Sequence, residues 1–251
     1  MKILVANPNT SAGVTERILA TARAAASPAT ELVGITAPRG VPYIATRAEA
    51  ALGGAIVLEM LAEHAGDADA VIIAAFGDPG LGGARELLSV PVVGLAEAAM
   101  LTACMLGRKF ALVTFARALA PWYRECVEYH GLTSRLAAVR LAEGSFGSID
   151  GVQDEMAEEI VRAAERSAVE DEADVVVLAG APLAGLAARI RDRVPLPLVD
   201  GVAAAVKQAE TLVHLRPRKA TLGTFRRPDP KPSIGLPEPV ARLLAGTDAT
   251  R

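Results

Sequence analysis

The chain has 251 residues and a formal net charge of −3, and 51% of its residues are hydrophobic while only 4% are aromatic. This length provides enough apolar area for one large domain or two small lobes, and the weak net charge without a basic block argues against a nucleic-acid partner. Because no run has the roughly 18 apolar residues of a membrane span, and because the chain opens on a strand pattern rather than a signal peptide, we expect a cytoplasmic protein with no membrane contact.

Short β-branched runs alternate with Ala-rich stretches along almost the whole chain, which is typical of βα units around a parallel sheet. The predicted strands are 2–6, 31–36, 69–75, 91–95, 109–114, 135–140, 174–179 and 197–199. The predicted helices are 11–26, 47–64, 82–88, 97–106, 118–130, 150–169, 183–192 and 201–213, with a further short helix near 237–245. We expect Ser11 and Asp150 to cap helix starts, and Gly107 and Gly131 to mark helix ends.

The sequence contains two matched series of strands. DAVIIAAFGDPGL at 69–81 matches DVVVLAGAPLAGL at 174–186, which is an offset of 105 (174 − 69). The strands before them match as ILVANPNT from Ile3 and ALVTFARA from Ala111, and those after them as VPVVGLAEAA from Val90 and LPLVDGVAAA from Leu196. These offsets are 108 (111 − 3) and 106 (196 − 90), so the two copies are nearly in phase.

The repeat predicts an α/β fold of two pseudo-symmetric lobes, each a mostly parallel sheet flanked by helices. Lobe 1 is predicted to comprise residues 1–95 plus part of 201–215, lobe 2 residues 96–200, and a surface-wrapping tail residues 216–251. Ligands of open α/β sheets bind outside the carboxyl ends of the strands. We therefore expect an active-site cleft between the lobes, with Ala75 and Gly180 as counterparts across it.

Several motifs resemble the Asp/Glu/hydantoin racemase superfamily, and in particular its hydantoin and allantoin racemase branch. They are NPNTS at 7–11, FGDPGL at 76–81, PVVGLAEAA at 91–99 and LAGAPLAGL at 178–186. The resemblance implies a cofactor-independent racemase in which one thiol per lobe removes and returns the α-proton on opposite faces. The family pattern reads CFGDPGL and LGCAGMAGL, so Ala75 and Gly180 stand where the two cysteines are expected.

The turns around the expected cleft retain groups that suit a small carbonyl compound. Asn side chains offer amide donors and acceptors, and successive backbone N–H groups form nests for a carboxylate or enolate oxygen. The resemblance also places 39–49 over the ligand as a loop. We therefore expect substrate contacts from the strand-end and loop residues Asn7, Asn9, Tyr43, Ala75, Phe76, Gly77, Thr114, Gly180 and Ala181.

With both thiols replaced, the candidate acid–base residues are Asp78, Glu97 and Asp200. Asp78 is the carboxylate nearest in sequence to the missing first base. Glu97 and Asp200 lie at strand ends, where a carboxylate in a partly apolar pocket has a raised pKa suited to a general base. Each also has a structural alternative, because Asp78 belongs to a turn and can cap the following helix, while Glu97 and Asp200 lie at helix starts. Cys104, Cys126 and the three histidines fall within or at the ends of predicted helices, where we expect structural roles.

Three hypotheses follow for a protein that acts on a small molecule without cofactor or metal. The first is a racemase or epimerase acting on an amino-acid derivative or a cyclic ureide such as hydantoin or allantoin. The second is a lyase, isomerase or hydrolase that uses a carboxylate in the same pocket, and the third is a non-catalytic ligand-binding paralogue. The resemblance also implies a homo-oligomer.

Overall fold

The computed structural model describes residues 1–247 and contains two parallel four-stranded sheets within them. The first sheet has the order β2-β1-β3-β4, and the second repeats it as β6-β5-β7-β8. The strands are β1 Lys2–Asn7, β2 Glu31–Thr36, β3 Ala70–Ile73, β4 Val92–Gly94, β5 Phe110–Thr114, β6 Leu136–Leu141, β7 Val175–Leu178 and β8 Leu198–Asp200. All eight predicted strands are confirmed, and the equivalent order of the two sheets accounts for the repeat.

Nine α-helices surround the sheets in the described part of the chain. They are α1 Ala12–Ala25, α2 Arg47–His64, α3 Leu81–Leu87, α4 Leu95–Leu106, α5 Leu119–Tyr129, α6 Val152–Val169, α7 Leu186–Ile190, α8 Gly201–Leu215 and α9 Glu238–Ala245. Helix α1 is capped by Ser11, whose side chain accepts a hydrogen bond from the Val14 N–H, as predicted. Among residues 1–247 none of these helices is both long and apolar enough to span a bilayer.

Two of the predicted helix starts are wrong. Helix α6 follows Gly151, and Asp150 instead accepts a hydrogen bond at its carbonyl oxygen from the Arg17 guanidinium on α1. The predicted helix 183–192 is broken into a 3₁₀ turn at Ala181–Leu183, the short α7 and a second 3₁₀ turn. Gly185 adopts a left-handed conformation with φ 87° directly before α7, which interrupts the helix.

Helices α4 and α8 pack between the two sheets. Helix α4 leaves the first sheet and packs on β7 and β8 of the second, whereas α8 leaves the second sheet and packs on β3, β4 and α1. The two helices also pack against each other. Farther along, α9 packs on α2, and residues 248–251 of the predicted tail lie outside the described residues.

The buried carboxylate of Glu210 fastens α8 to the loop after α1. It accepts hydrogen bonds from the Ser27 N–H and Oγ and from the Thr30 hydroxyl, and it pairs with Lys207. Burial opposes ionisation of Glu210, but the hydrogen bonds from Thr30, Ser27 and Lys207 outweigh it and lower its pKa to about 2. The ionised carboxylate therefore stabilises the fold above its unfolded-state pKa of about 4.3, and this stability is lost as the pH falls toward 2.

We expect Glu210→Gln to lower the free energy of unfolding by about 2 kcal/mol at neutral pH. The difference from the unmodified protein is expected to shrink between about pH 5 and pH 2, because the carboxylate itself becomes protonated there. Urea unfolding at a series of pH values measures this. Glu16→Gln, on the exposed face of α1, is the control, and we expect it to change the free energy of unfolding by less than about 0.5 kcal/mol. A Glu210→Gln difference that does not vary with pH would contradict this assignment.

Candidate active site

The carboxyl ends of strands from both sheets meet at one small void. Phe76 follows β3, Gly180 and Ala181 follow β7, and Asp200 ends β8. All four residues line a void of about 10 Å³. The parallel register places the ends of neighbouring strands at the same edge, with Ala6 opposite Ile73 and Val113 opposite Leu178. The structure thus brings together the first-lobe and second-lobe strand ends that the repeat predicts to be counterparts.

Aromatic side chains fill the space where the sequence predicts an open cleft. The ring of Phe76 lies 4.8 Å from that of Tyr123, and the ring of Phe115 lies 5.9 Å from Tyr43 and 5.4 Å from Phe146. Phe115 and Tyr123 are each only 2% exposed. Ligand pockets commonly measure about 300–1,000 Å³, so these side chains must move before a substrate can enter. Sequence reasoning missed Phe115 and Tyr123, although Phe115 directly follows β5.

The backbone at Gly180 suits glycine alone. It has φ 136° and ψ 127°, a region that residues with a side chain rarely adopt. A Cβ atom at this position would lie 2.8 Å from Phe115 Cε1 and 3.6 Å from the Tyr123 hydroxyl. The aromatic packing and the absence of a side chain at position 180 therefore depend on each other.

Backbone N–H groups at both strand ends are available as hydrogen-bond donors. Within residues 1–247, no acceptor engages the N–H groups of Phe76, Gly77, Gly180 or Ala181, whereas those of Ala74 and Ala179 complete the sheets. Successive free N–H groups form a nest that binds a carboxylate or enolate oxygen. Their presence in both lobes is the arrangement expected around a small carbonyl ligand.

Two buried hydroxyls near the strand ends also lack well-formed hydrogen bonds. In the described chain the Tyr43 hydroxyl makes no hydrogen bond, and Thr114 Oγ1 makes none of good geometry, although the Thr114 side chain lies close enough to the Tyr123 hydroxyl to oppose the rise of its pKa. Burial raises the pKa of Tyr43 far above its usual range, so its hydroxyl stays protonated. Asn7 differs, because its side-chain amide donates to Asn9 Oδ1 at 3.1 Å and to Thr15 Oγ1 at 2.9 Å inside the turn after β1.

Asp200 is the predicted catalytic candidate that lines the void. One carboxylate oxygen accepts hydrogen bonds from the N–H groups of Val202 and Ala203 at the start of α8, and the other accepts from Gly185 N–H at 2.6 Å. Burial nevertheless raises the pKa of Asp200 above its ordinary value. The side chain therefore combines a cap with the raised pKa expected of a buried base.

Asp78 and Glu97 are engaged away from the void. Asp78 caps α4 by accepting hydrogen bonds from the N–H groups of Ala96 and Glu97, both at 2.8 Å, and does not cap the following helix α3, whose N-cap is Gly80. Burial opposes ionisation of Glu97, but hydrogen bonds from His130 and Arg85 lower its pKa to about 2. A carboxylate held this strongly in its ionised form is a poor proton acceptor near neutral pH.

Comparison with known proteins supports the fold and indicates the family. The Asp/Glu/Hydantoin racemase family model matches residues 3–209. The chain is 33% identical over 245 residues to a hydantoin racemase of Pseudomonas sp. (strain NS671), covering 96% of this chain and 98% of that protein.

Two solved structures share the fold over nearly their whole length. An allantoin racemase from Pseudomonas fluorescens superposes with a TM-score of 0.88 at 39% identity, covering 94% of this chain and 100% of the other. The allantoin racemase from Klebsiella pneumoniae has a TM-score of 0.88 at 34% identity, covering 94% and 96% respectively.

Proposed function

The chain belongs to the Asp/Glu/hydantoin racemase family, and we propose that it is a cofactor-independent racemase or epimerase acting on a small amino-acid derivative or a cyclic ureide such as hydantoin or allantoin. The observation that carries this proposal is that two successive backbone N–H groups at each strand end, Phe76–Gly77 in one lobe and Gly180–Ala181 in the other, have no acceptor within residues 1–247. Removing a proton α to a carbonyl places negative charge on the carbonyl oxygen. Fixed N–H donors stabilise that charge.

The proton-transfer groups in this proposal differ from a thiol pair. Ala75 and Gly180 occupy the positions at which the family pattern has cysteines, so neither position supplies a base. Asp200 borders the void with a raised pKa and is our candidate for the base. Tyr123 is our candidate for the proton donor, because its hydroxyl lies 3.6 Å from the place that a Cβ of residue 180 would occupy, and burial keeps it protonated.

Substrate entry in this proposal requires the aromatic layer to open. Tyr43 lies in the loop before α2 and Phe146 in the loop before α6, and their rings flank Phe115 from opposite lobes. Movement of these two loops would free Phe115 and enlarge the void toward Thr114, whose hydroxyl then becomes a substrate contact. We also assign Asn9, Tyr43 and the free N–H groups at the two strand ends to substrate binding, because they lie at or near the strand ends that border this space.

The test follows the α-proton of enantiopure 5-substituted hydantoins and of allantoin in D₂O. Proton NMR measures exchange and polarimetry measures inversion. We expect enzyme-dependent exchange together with loss of optical rotation. Asp200→Asn is expected to lower kcat about 100-fold or more, and Tyr123→Phe about 10- to 100-fold, with smaller changes in KM. Asp174→Asn is the matched control, because Asp174 also accepts two backbone N–H bonds but lies at the opposite ends of the strands.

Other results of these assays would indicate one of the two alternative functions. Chemical conversion without inversion indicates a lyase, isomerase or hydrolase that uses the same carboxylate. Thermal stabilisation by the ligands without exchange or conversion indicates a binding paralogue. We also propose a cytoplasmic homo-oligomer, and light scattering on the purified protein tests the oligomeric state.

A further inference from the structure

A second cluster of side chains, an aspartate, a cysteine and a histidine, lies between the turn after β3 and helix α5. Cys126 and His130 are four residues apart, so they project from the same face of α5. Asp78 reaches them from the turn in the other lobe. One potential ligand atom from each of the three residues lies within 4.8 Å of those of the other two. None of the three lines the small void described above.

The donor set matches the preference of zinc. A thiolate, an imidazole nitrogen and a carboxylate oxygen bind Zn²⁺ at about 2.0–2.3 Å, which places neighbouring ligand atoms about 3.5 Å apart in a tetrahedral shell. Since all three ligand atoms lie within 4.8 Å of one another, the pairs need to close by at most about 1.3 Å (4.8 − 3.5). With a neutral imidazole, the thiolate of Cys126 and the carboxylate of Asp78 also balance the charge of a divalent cation.

The histidine is oriented as a metal ligand. Its side chain is 6% exposed, and its buried Nε2 atom is ion-paired with Asp78 Oδ2 at 3.3 Å, a contact without hydrogen-bond geometry in the described chain. Its other nitrogen, Nδ1, lies 3.5 Å from Glu97 Oε1, and Arg85 holds Glu97 in place. A carboxylate on the distal nitrogen of a ligating histidine fixes the tautomer that leaves the other nitrogen free for metal.

A cavity gives access to the cluster. It measures about 440 Å³ and lies between the glycine-rich turn 77–83 and α5. Asp78 and Cys126 line it together with Trp122, Glu125 and Tyr129. The opening provides an entry path for an ion and room for a water as the fourth ligand.

We propose that Asp78, Cys126 and His130 form a binding site for Zn²⁺ or a similar thiophilic divalent cation, with Glu97 positioning His130. The ion would link the turn after β3 in one lobe to α5 in the other. The proposal does not rest on racemase activity, because Asp200 and Tyr123 are not among its ligands.

Cobalt binding tests the site directly. Chelator-treated, untagged protein is titrated with Co²⁺, and thiolate-to-cobalt absorption is recorded, followed by displacement with Zn²⁺ in a calorimeter. We expect one ion per chain with a thiolate band. Cys126→Ser should abolish the band, and His130→Asn should weaken Zn²⁺ binding at least 100-fold. Glu97→Gln should weaken it about 10- to 100-fold. Cys104→Ser, which removes the other free cysteine, should change nothing.

If these variants fail to fold, two further measurements on the unmodified protein still test the proposal. Trp122 is the single tryptophan of the chain and lines the cavity, so saturable Zn²⁺ binding should change its fluorescence. Zn²⁺ should also slow alkylation of Cys126 but not that of Cys104, as read by peptide mass spectrometry. The proposal is overturned if wild type gives no thiolate–cobalt band, if the band is lost with Cys104 instead, or if Zn²⁺ leaves the alkylation of Cys126 unchanged.

Discussion

Replacing Asp78 by asparagine is expected to lower the free energy of unfolding by about 3–5 kcal/mol, the usual effect of removing one partner from a buried ion pair. The Asp78 side chain is 2% exposed and lies 3.3 Å from the His130 imidazole. Its two oxygens accept the N–H groups of Ala96 and Glu97 at the positive end of α4. Asparagine keeps the shape but loses the charge, so it leaves His130 poorly compensated and supplies only one good acceptor.

Asparagine also isolates this effect from backbone strain. Asp78 has φ 52°, a left-handed conformation that asparagine tolerates as readily as aspartate. Urea unfolding of metal-free protein gives the measurement. The control is Asp174→Asn, an exposed carboxylate that accepts the N–H groups of Arg108 and Lys109, for which we expect at most about 1 kcal/mol. Equal losses at the two positions would show that burial and the pairing with His130 contribute nothing.

Introducing a thiol at position 180 is expected to lower the free energy of unfolding by about as much as Asp78→Asn does. Gly180→Cys forces a side chain onto a backbone with φ 136°, which costs about 1–3 kcal/mol, and overpacks the contact with Phe115, which costs about 1–3 kcal/mol more. The same clash means that cysteines introduced at positions 75 and 180 should not form a facing thiol pair unless Phe115 also moves.

Two further variants separate strain from crowding. Gly131 has φ 69° and no atom within 4 Å of the place a Cβ would take, so Gly131→Ala reports backbone strain alone, at about 1 kcal/mol. Phe115→Ala in the Gly180→Cys background should recover part of the loss, and a double-mutant cycle measures the coupling. Strict additivity of the two substitutions would rule out steric conflict between these positions.

The order of strands and helices and the duplication could be predicted from the amino-acid sequence. These features follow from local periodicity, because each buried strand is a short apolar run and each helix a longer Ala-rich one. Motifs such as FGDPGL, which resemble the family pattern, also indicated the family that the comparisons show. The ends of elements were less certain, since the break before α7 depends on the conformation that Gly185 adopts in the folded chain.

Which side chains contact each other became apparent only from the folded arrangement of the two sheets and their helices. The turn around Asp78 was predictable, but its partner helix was not, because α4 begins 17 residues later (95 − 78) and reaches Asp78 only through the sheet. For the same reason sequence patterns left Cys126 and His130 as ordinary helix residues. The aromatic filling of the cleft likewise combines five side chains from five separate loops, turns and helices. Local patterns specify what each segment forms, whereas contacts between distant segments depend on how the two sheets and their helices pack.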